Sequence, residues 1–168
     1  MSLTAARSRW GHPIPRWSSP PTCLAARDAG LPMPAVIAAF SPGLDHTRSG
    51  ASMTAKEGID PFFTMDGLGY TGEMYLGGQD PNQPLLAPAV LGDLTGFQPV
   101  LLQGGTNELL LDDSVRLAGR AHAAGVDVIL DITAGVAHVF QAFAGRLDES
   151  DQALDRAALF LTQHLRAR

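Results

Sequence analysis

Residues 103–141 read QGGTNELLLDDSVRLAGRAHAAGVDVILDITAGVAHVFQ, and this stretch decides the fold. Apolar runs at residues 98–105 and 126–132 are typical of strands that are covered on both faces. Glu108 follows the first run directly, and His138 comes in the loop after the second. The stretch therefore predicts a strand, an acid, a helix, a second strand and a histidine, in that order.

The helix between the two strands is predicted to run to Ala124. Asp112 or Asp113 can cap its first turn, and Gly125 can end it because glycine takes a left-handed conformation readily. One apolar stripe on this helix comprises Leu117, Ala121 and Ala124. A strand, helix, strand order favours a parallel sheet with a crossover connection.

The other elements are, in chain order, a helix over residues 22–30, a buried strand over 35–41, a helix over 60–76 and a helix over 151–166. We expect Gly30 to end the first helix and Asp60 with Pro61 to begin the third. The apolar face of the last helix is predicted to comprise Leu154, Ala158, Leu161 and Leu165.

Three other segments carry weaker signals. Asp127 and Asp131 interrupt the strand over 126–132 and suggest a position near a sheet edge. The connection at residues 77–97 is rich in turn residues and is expected on the surface. Residues 1–21 contain four prolines and show neither helical nor strand periodicity, so we expect them to be irregular or disordered, or read out of frame.

Composition limits the possible functions. The chain has 168 residues, 45% of them hydrophobic and 17% charged, which fits one globular domain. A net charge of -5 without a basic cluster argues against nucleic acid or an anionic membrane as a partner. Cys23 is the single cysteine, so an internal disulfide is excluded and a cytoplasmic location is expected. No run is apolar enough to span a bilayer, and no signal peptide is recognisable.

Seven motifs occur in order between Leu24 and the C-terminus: ARDAGLPMP, FSPGLD, DPFF, YLGGQDP, QGGTNELLLDDS, RAHAAGVDV and AGVAHVFQAF. The ordered set resembles the hormone-sensitive-lipase branch of the α/β-hydrolases, which includes bacterial carboxylesterases. This resemblance implies an α/β fold in which residues 22–168 form the C-terminal part of an α/β-hydrolase domain. It implies a three-layer sandwich built on the last three parallel strands of the family sheet, family strands 6–8, with flanking helices.

The same resemblance implies that Glu108 is the acid and His138 the general base of a Ser/acid/His triad. Asn107 stands where many relatives carry an aspartate, which leaves Glu108 as the carboxylate directly after the strand. The alternative roles are a helix N-terminal charge for Glu108 and an ordinary loop histidine for His138. Asp112 and Asp113 also lie close by, but helix capping explains them better.

The nucleophile motif of the family, G-x-S-x-G, and the HGGG-type oxyanion loop do not occur in these 168 residues. The nearest pattern is residues 39–43, AFSPG, which centres on Ser41. The residue after a nucleophile must donate a backbone N–H to the oxyanion, and Pro42 has none. Ser41 is therefore a poor candidate for the nucleophile.

The sequence thus predicts a truncated carboxylic ester hydrolase that keeps the acid and base but is inactive alone. The complete family enzyme would act on small acyl esters without a cofactor. The alternative is a non-catalytic interaction protein that pairs through the exposed edge of the strand over 35–40, either with a second copy or with an N-terminal fragment. Activity rebuilt with a separately encoded N-terminal half is a third possibility.

Other histidines and aromatic residues carry little signal. The histidines at positions 12, 46, 122 and 164 share no ligand spacing, so no metal site is expected, and structural roles fit His122 and His164. Family analogy would place four aromatic residues in an acyl pocket, namely Phe62, Phe63, Tyr70 and Tyr75. Aromatic residues of this kind are more commonly buried in the core.

Overall fold

A computed structural model describes residues 19–166 and contains one sheet of three parallel strands. The strands are β1 (Ile37–Phe40), β2 (Val100–Asn107) and β3 (Val128–Ala137), and their spatial order is β1-β2-β3. The three strands, their parallel direction and the edge position of β3 confirm the prediction. β3 extends five residues beyond the expected end at residue 132.

Six α-helices flank the sheet in the described part of the chain: α1 (Ser19–Asp28), α2 (Ala51–Ala55), α3 (Met65–Leu76), α4 (Pro88–Leu91), α5 (Leu111–Ala123) and α6 (Asp148–Arg166). A short 3₁₀ helix, Phe140–Phe143, follows β3. Among these described helices, none has the length and apolar character that crossing a lipid bilayer requires.

The strand residues alternate between two hydrophobic clusters, one on each face of the sheet. Ile37 and Val100 belong to the larger cluster, where residues of α1, α4 and α5 pack against the sheet. Leu101 and Ala38 point to the opposite face and pack with Ala157 and Phe160 of α6. Helices on both faces of a parallel sheet give the three-layer architecture that was expected.

β1 has a strand neighbour on only one side within residues 19–166. The N–H groups of Ile37 and Ser41 donate to Pro99 and Gln103 on the β2 side. Since backbone groups along a strand point alternately to its two sides, the N–H groups of Ala38 and Phe40 point away from β2. Among the described residues, the outer side of β1 is therefore an open sheet edge.

The first helix begins earlier than expected. Residues 1–18 lie outside the described residues, but Ser19, Pro20 and Pro21 are helical although they were expected to be irregular. Proline is tolerated in the first helical turn because the N–H groups there have no partner within the helix. At the other end Gly30 has φ 66° and donates its N–H to the Arg27 carbonyl, which confirms it as the residue that ends the helix.

The predicted start of α3 was wrong. The helix begins at Met65, and Thr64 caps it by accepting a hydrogen bond from the Gly67 N–H. Asp60 instead lies in the preceding loop, where one carboxylate oxygen accepts the N–H groups of Phe62 and Phe63. This side-chain bond to the following residues makes a turn, which is the local alternative that aspartate offers to a helix.

Two predictions about burial were also wrong. The connection at residues 77–97 was expected on the surface, but it contains buried core residues, namely Ala87, Ala89, Leu94 and Phe97. The buried face of α6 comprises Ala153, Ala157 and Phe160. Leu165, which was expected on that face, is 60% exposed. Both stripes have helical spacing, and the small alanines allow α6 to approach the sheet closely.

Asp112 and Asp113 do not cap their own helix. α5 begins at Leu111, so both aspartates lie within its first turn. Asp113 accepts hydrogen bonds from the N–H groups of Leu44 and Asp45 at 2.6 and 3.0 Å. Asp112 accepts one from the N–H of Ser52 at 3.0 Å. These carboxylates fasten the loop after β1 to α5, which explains how that loop is held near the sheet.

The burial of Asp113 leads to a prediction about stability and pH. Burial raises the pKa of Asp113 from 3.8 to about 7, although the Leu44 N–H partly opposes the increase. The folded protein therefore binds this proton more tightly than the unfolded chain does. The stabilisation is complete below about pH 4 and is lost as the pH rises to about 7.

In Asp113→Asn, the amide oxygen can still accept the backbone hydrogen bonds but the side chain does not titrate. Between about pH 4 and pH 7, the free energy of unfolding should therefore decrease less in this variant than in the wild type. The two decreases should differ by an amount on the order of 4 kcal/mol. Urea unfolding at several pH values measures both curves. Parallel curves for the wild type and the variant would contradict this account of Asp113.

Candidate active site

Glu108 and His138 come together at the carboxyl ends of two neighbouring strands. Glu108 directly follows β2, and His138 directly follows β3. Nδ1 of His138 lies 2.9 Å from Oε2 of Glu108, which is a hydrogen bond. Because β2 and β3 are parallel and paired, residues that follow their ends are brought to the same edge of the sheet. The acid and the histidine that the sequence singled out are thus in direct contact.

The Glu108 side chain is fully buried, and the structure gives each of its oxygens a partner. Oε1 accepts the Gly105 N–H at 2.8 Å, while Oε2 faces the His138 ring. A carboxylate can only accept, so Nδ1 of a neutral His138 ring carries the hydrogen. The other ring nitrogen, Nε2, is then left with a lone pair that can accept a proton.

The pairing of β2 and β3 is irregular next to Glu108. The register shifts between Gly105 and Asn107, where Asn107 pairs with Ala137. A β-carbon on Gly105 would lie only 2.8 Å from the carbonyl carbon of Val136, so the two backbones approach more closely than a side chain allows. Thr106 and Asn107 add hydrogen bonds to the backbone of Gly135. This close approach brings His138 within reach of Glu108.

Ser41 holds the loop that follows His138. Its hydroxyl oxygen accepts the Val139 N–H at 3.0 Å, and Ser41 itself is 3% exposed. Val139 has φ 48°, a left-handed conformation that is strained for a β-branched residue. The hydrogen bond from its N–H to Ser41 compensates part of that strain. This role of Ser41 could not be predicted from the sequence.

Phe63 covers the His138 ring from the side. The two ring centroids are 4.6 Å apart and the rings meet in a T-shaped arrangement at 68°. The other aromatic residues are placed differently, because Phe62 and Tyr70 are 54% and 67% exposed and Tyr75 stacks on His46. Of the four aromatic residues considered in the sequence, Phe63 is therefore the one whose ring contacts the ring of His138.

A cleft of about 470 Å³ adjoins His138. The strand β1 and the residues after it form one wall, and Leu110, His138 and Val139 complete the lining. The cleft therefore lies along β1, the strand that has an open edge among the described residues, and it reaches the imidazole of His138.

The remaining histidines lie apart from this cleft or outside the described residues, as His12 does. Burial, with a contribution from Arg48, lowers the pKa of His46 to about 4, so it is neutral at physiological pH. His122 is exposed on α5, and His164 donates Nδ1–H to the Phe160 carbonyl within α6. Within residues 19–166, no three side chains of the metal-ligating types form a group that could hold an ion.

Comparison with known proteins identifies the family of the chain. A family model described as the α/β hydrolase fold matches residues 20–142. The chain belongs to the α/β-hydrolase family. The chain is 38% identical over 137 residues to an acetyl-hydrolase of Streptomyces hygroscopicus, and 34% identical over 131 residues to an esterase of Acinetobacter venetianus. These alignments cover 82% and 77% of the chain.

Solved structures place the chain in the hormone-sensitive-lipase-like branch of the α/β-hydrolase family, as the sequence motifs suggested. An esterase from the bacterial hormone-sensitive lipase family superposes with a TM-score of 0.82 at 38% identity, over 86% of this chain and 48% of that one. A hormone-sensitive lipase from a metagenome library gives a TM-score of 0.81 at 36% identity, over 86% of this chain and 49% of that one. The chain spans 46% of the acetyl-hydrolase and 43% of the esterase, less than half of each curated relative.

The close approach at Gly105 can be tested by adding one methyl group. Gly105→Ala places a β-carbon against the Val136 carbonyl and should lower the free energy of unfolding by about 2 kcal/mol or more. It should also push β3, and with it His138, away from Glu108. Gly119→Ala is the matched control, because a β-carbon at Gly119 on α5 meets no atom within 4 Å.

The control should instead raise the free energy of unfolding by up to about 1 kcal/mol, since alanine favours the helix more than glycine does. Chemical denaturation measures both variants. Equal stability of Gly105→Ala and the wild type would contradict the tight approach of the two strands.

Proposed function

We propose that Glu108 and His138 are the acid and the general base of a carboxylic ester hydrolase, and that this 168-residue chain needs a nucleophile from elsewhere to act. The observation that carries the proposal is the 2.9 Å hydrogen bond from Nδ1 of His138 to the buried Glu108 carboxylate. Relatives described as an acetyl-hydrolase and an esterase support small acyl esters as substrates. The single Cys23 is consistent with a cytoplasmic location.

In the proposed reaction a serine hydroxyl in the cleft transfers its proton to Nε2 of His138 as its oxygen attacks the ester carbonyl. Glu108 keeps Nδ1 protonated and stabilises the positive charge that develops on the ring. His138 then returns the proton to the leaving alcohol, and an acyl-serine ester remains. A water molecule, activated by the same imidazole, releases the acid.

Ser41 does not fit the role of nucleophile. Its hydroxyl oxygen already accepts the Val139 N–H, and Pro42 supplies no N–H for an oxyanion. A donor at that position typically contributes about 3 kcal/mol to transition-state stabilisation. We therefore propose that the chain alone does not hydrolyse esters.

Two assays test this function. The purified 168-residue chain should neither hydrolyse p-nitrophenyl acetate above background nor react with a fluorophosphonate probe, because its sequence contains no G-x-S-x-G motif and Ser41 does not fit the role of nucleophile. Co-expression with the upstream half of the Streptomyces hygroscopicus acetyl-hydrolase should restore ester hydrolysis. In that complex His138→Ala should lower kcat about 10²- to 10⁴-fold, the usual contribution of a general base.

The matched control is His122→Ala, which removes an exposed histidine of α5 and should leave kcat unchanged. A serine of the isolated chain labelled by the probe would show that the nucleophile is already present. Restored hydrolysis that survives His138→Ala would refute the assignment of the base.

A second candidate function follows from the open edge of β1. The outward N–H groups of Ala38 and Phe40 can pair with another extended chain, as an unprotected sheet edge does. The chain would then be a non-catalytic interaction protein that pairs with a second copy of itself or with an N-terminal fragment. The cleft lies along β1 and reaches His138, which favours a fragment that also fills the cleft.

Pairing at this edge predicts an association that one substitution abolishes. The purified chain should elute from size-exclusion chromatography as a dimer or larger species. Ala38→Pro removes an outward N–H group but no hydrogen bond to β2, so it should shift the chain toward the monomer. A wild-type chain that is monomeric at all concentrations would exclude pairing between copies, leaving a fragment as the partner.

A further inference from the structure

Asp60 is a buried carboxylate in the loop before α3, and nothing in the proposed reaction uses it directly. The residue is 8% exposed, and its two oxygens bind different parts of the protein. Oδ1 accepts the N–H groups of Phe62 and Phe63 at 2.8 and 3.1 Å. Oδ2 accepts the N–H of Leu109 at 2.9 Å, across 49 residues of sequence.

The two hydrogen bonds to Oδ1 of Asp60 fix the position of Phe63, the residue that contacts the His138 ring. The Oδ1 bonds close a turn that sets the backbone of Phe63, whose ring meets the His138 imidazole at 4.6 Å. Phe63 also packs against a small buried cluster that includes Leu109 and Leu110. The ring is therefore anchored at its backbone and at its side chain, and it keeps water from that flank of the imidazole.

On the other side, Asp60 fixes the backbone next to the acid. Leu109 directly follows Glu108, so the Oδ2 bond holds the peptide plane that joins the two residues. The orientation of this plane determines where the Glu108 side chain leaves the backbone. One carboxylate thus restrains both members of the hydrogen-bonded pair.

We infer that Asp60 is a positioning residue of the Glu108–His138 pair, acting on the histidine through Phe63 and on the acid through Leu109. This inference rests on the proposed function for its catalytic meaning. A single hydrogen bond at Nδ1 leaves the imidazole free to tilt about that bond, and the T-shaped contact with Phe63 removes that freedom. Misplacement of a catalytic group by about 1 Å can lower a rate about 10²-fold.

The inference is testable in the 168-residue chain by nitrogen NMR of the histidine rings at a pH where they are neutral. In the wild type the His138 ring should be almost entirely in the Nδ1–H form, because Nδ1 donates to Glu108. In Asp60→Ala the proportion of this form should fall toward that of the exposed His122 ring in the same spectrum. Phe63→Leu, with Asp60 intact, should produce the same change.

Asp80→Ala is the matched control. Asp80 closes a similar turn by accepting the Asn82 N–H at 2.9 Å. No residue of this turn lines the cleft beside His138. The His138 ring should keep the wild-type Nδ1–H proportion in this variant. A change of equal size in Asp80→Ala would show a general loss of rigidity and would overturn the specific role of Asp60.

Amide hydrogen exchange separates the two actions of Asp60. The Gly105 N–H donates to Oε1 of Glu108, so its protection reports the position of the acid. Protection should be lost in Asp60→Ala, which frees Leu109, but retained in Phe63→Leu. A folded Asp60→Ala with an unchanged His138 ring and a protected Gly105 would overturn the inference.

If Asp60→Ala does not fold, Phe63→Leu still decides the histidine part, because an unchanged ring in that variant would contradict it. Failure of the proposed function is seen separately, in the absence of ester hydrolysis from the complex with an upstream half. In an active complex, Phe63→Leu should lower kcat about 10-fold or more with little change in KM, as expected for a group that orients the base.

Discussion

The hydrogen bond between Glu108 and His138 is the interaction on which the arrangement at this edge of the sheet depends. A carboxylate without solvent contact costs several kcal/mol unless charged or polar partners surround it. Glu108 has two, the Gly105 N–H and the His138 ring. Both partners reach it only because β2 and β3 approach so closely at Gly105 that a β-carbon would not fit. A glycine is therefore required at position 105 for Glu108 to contact both of these partners.

The surrounding loops restrain this pair from three directions. Ser41, at the end of β1, binds the backbone after the histidine, and Asp60 binds the backbone after the acid. Phe63 closes the flank of the imidazole. None of these contacts needs a residue outside 19–166. The acid and histidine side of the site is therefore complete in this chain, while the β1 side is open along its edge and at the cleft.

This asymmetry distinguishes what the chain can do alone from what it can do with a partner. Under the proposed function, the imidazole of His138 needs a serine hydroxyl to activate, and we propose that the chain alone does not supply one. The cleft beside His138 is lined by residues of β1, so the proposed partner would pair with β1 and supply the hydroxyl in this cleft. The same open edge explains why association is the expected behaviour of the isolated chain.

The positions of the strands and of the candidate acid and histidine could be predicted from the sequence. Apolar runs mark β1, β2 and β3 clearly, and polar residues directly after parallel strands must meet at one edge of the sheet. The role of Asp60 could not be predicted in the same way, because its bond to Leu109 joins residues far apart in the chain. An aspartate before proline is typical of a helix start, but the structure shows that the Asp60 carboxylate closes a turn instead.

The face of α6 shows a different limit. Leu154, Leu161 and Leu165 have helical spacing and high hydrophobicity. The face that packs against the sheet is nevertheless the one with Ala153 and Ala157, because small side chains let the helix lie close to the sheet. Sequence periodicity gives the spacing of a buried face and leaves open which of two adjacent stripes is buried. The strand over 35–41 was predicted to end at Ser41, but the role of the Ser41 hydroxyl could not be predicted, since its hydrogen bond depends on the left-handed turn at Val139.

A neutron crystal structure of the 168-residue chain tests the central claim most directly, because it locates both the heavy atoms and the hydrogen between them. The account predicts an Nδ1 to Oε2 separation near 2.9 Å, with the hydrogen on Nδ1 and none on Nε2 when the ring is neutral. An imidazole turned away from Glu108, or a Glu108 side chain that reaches solvent, would contradict it.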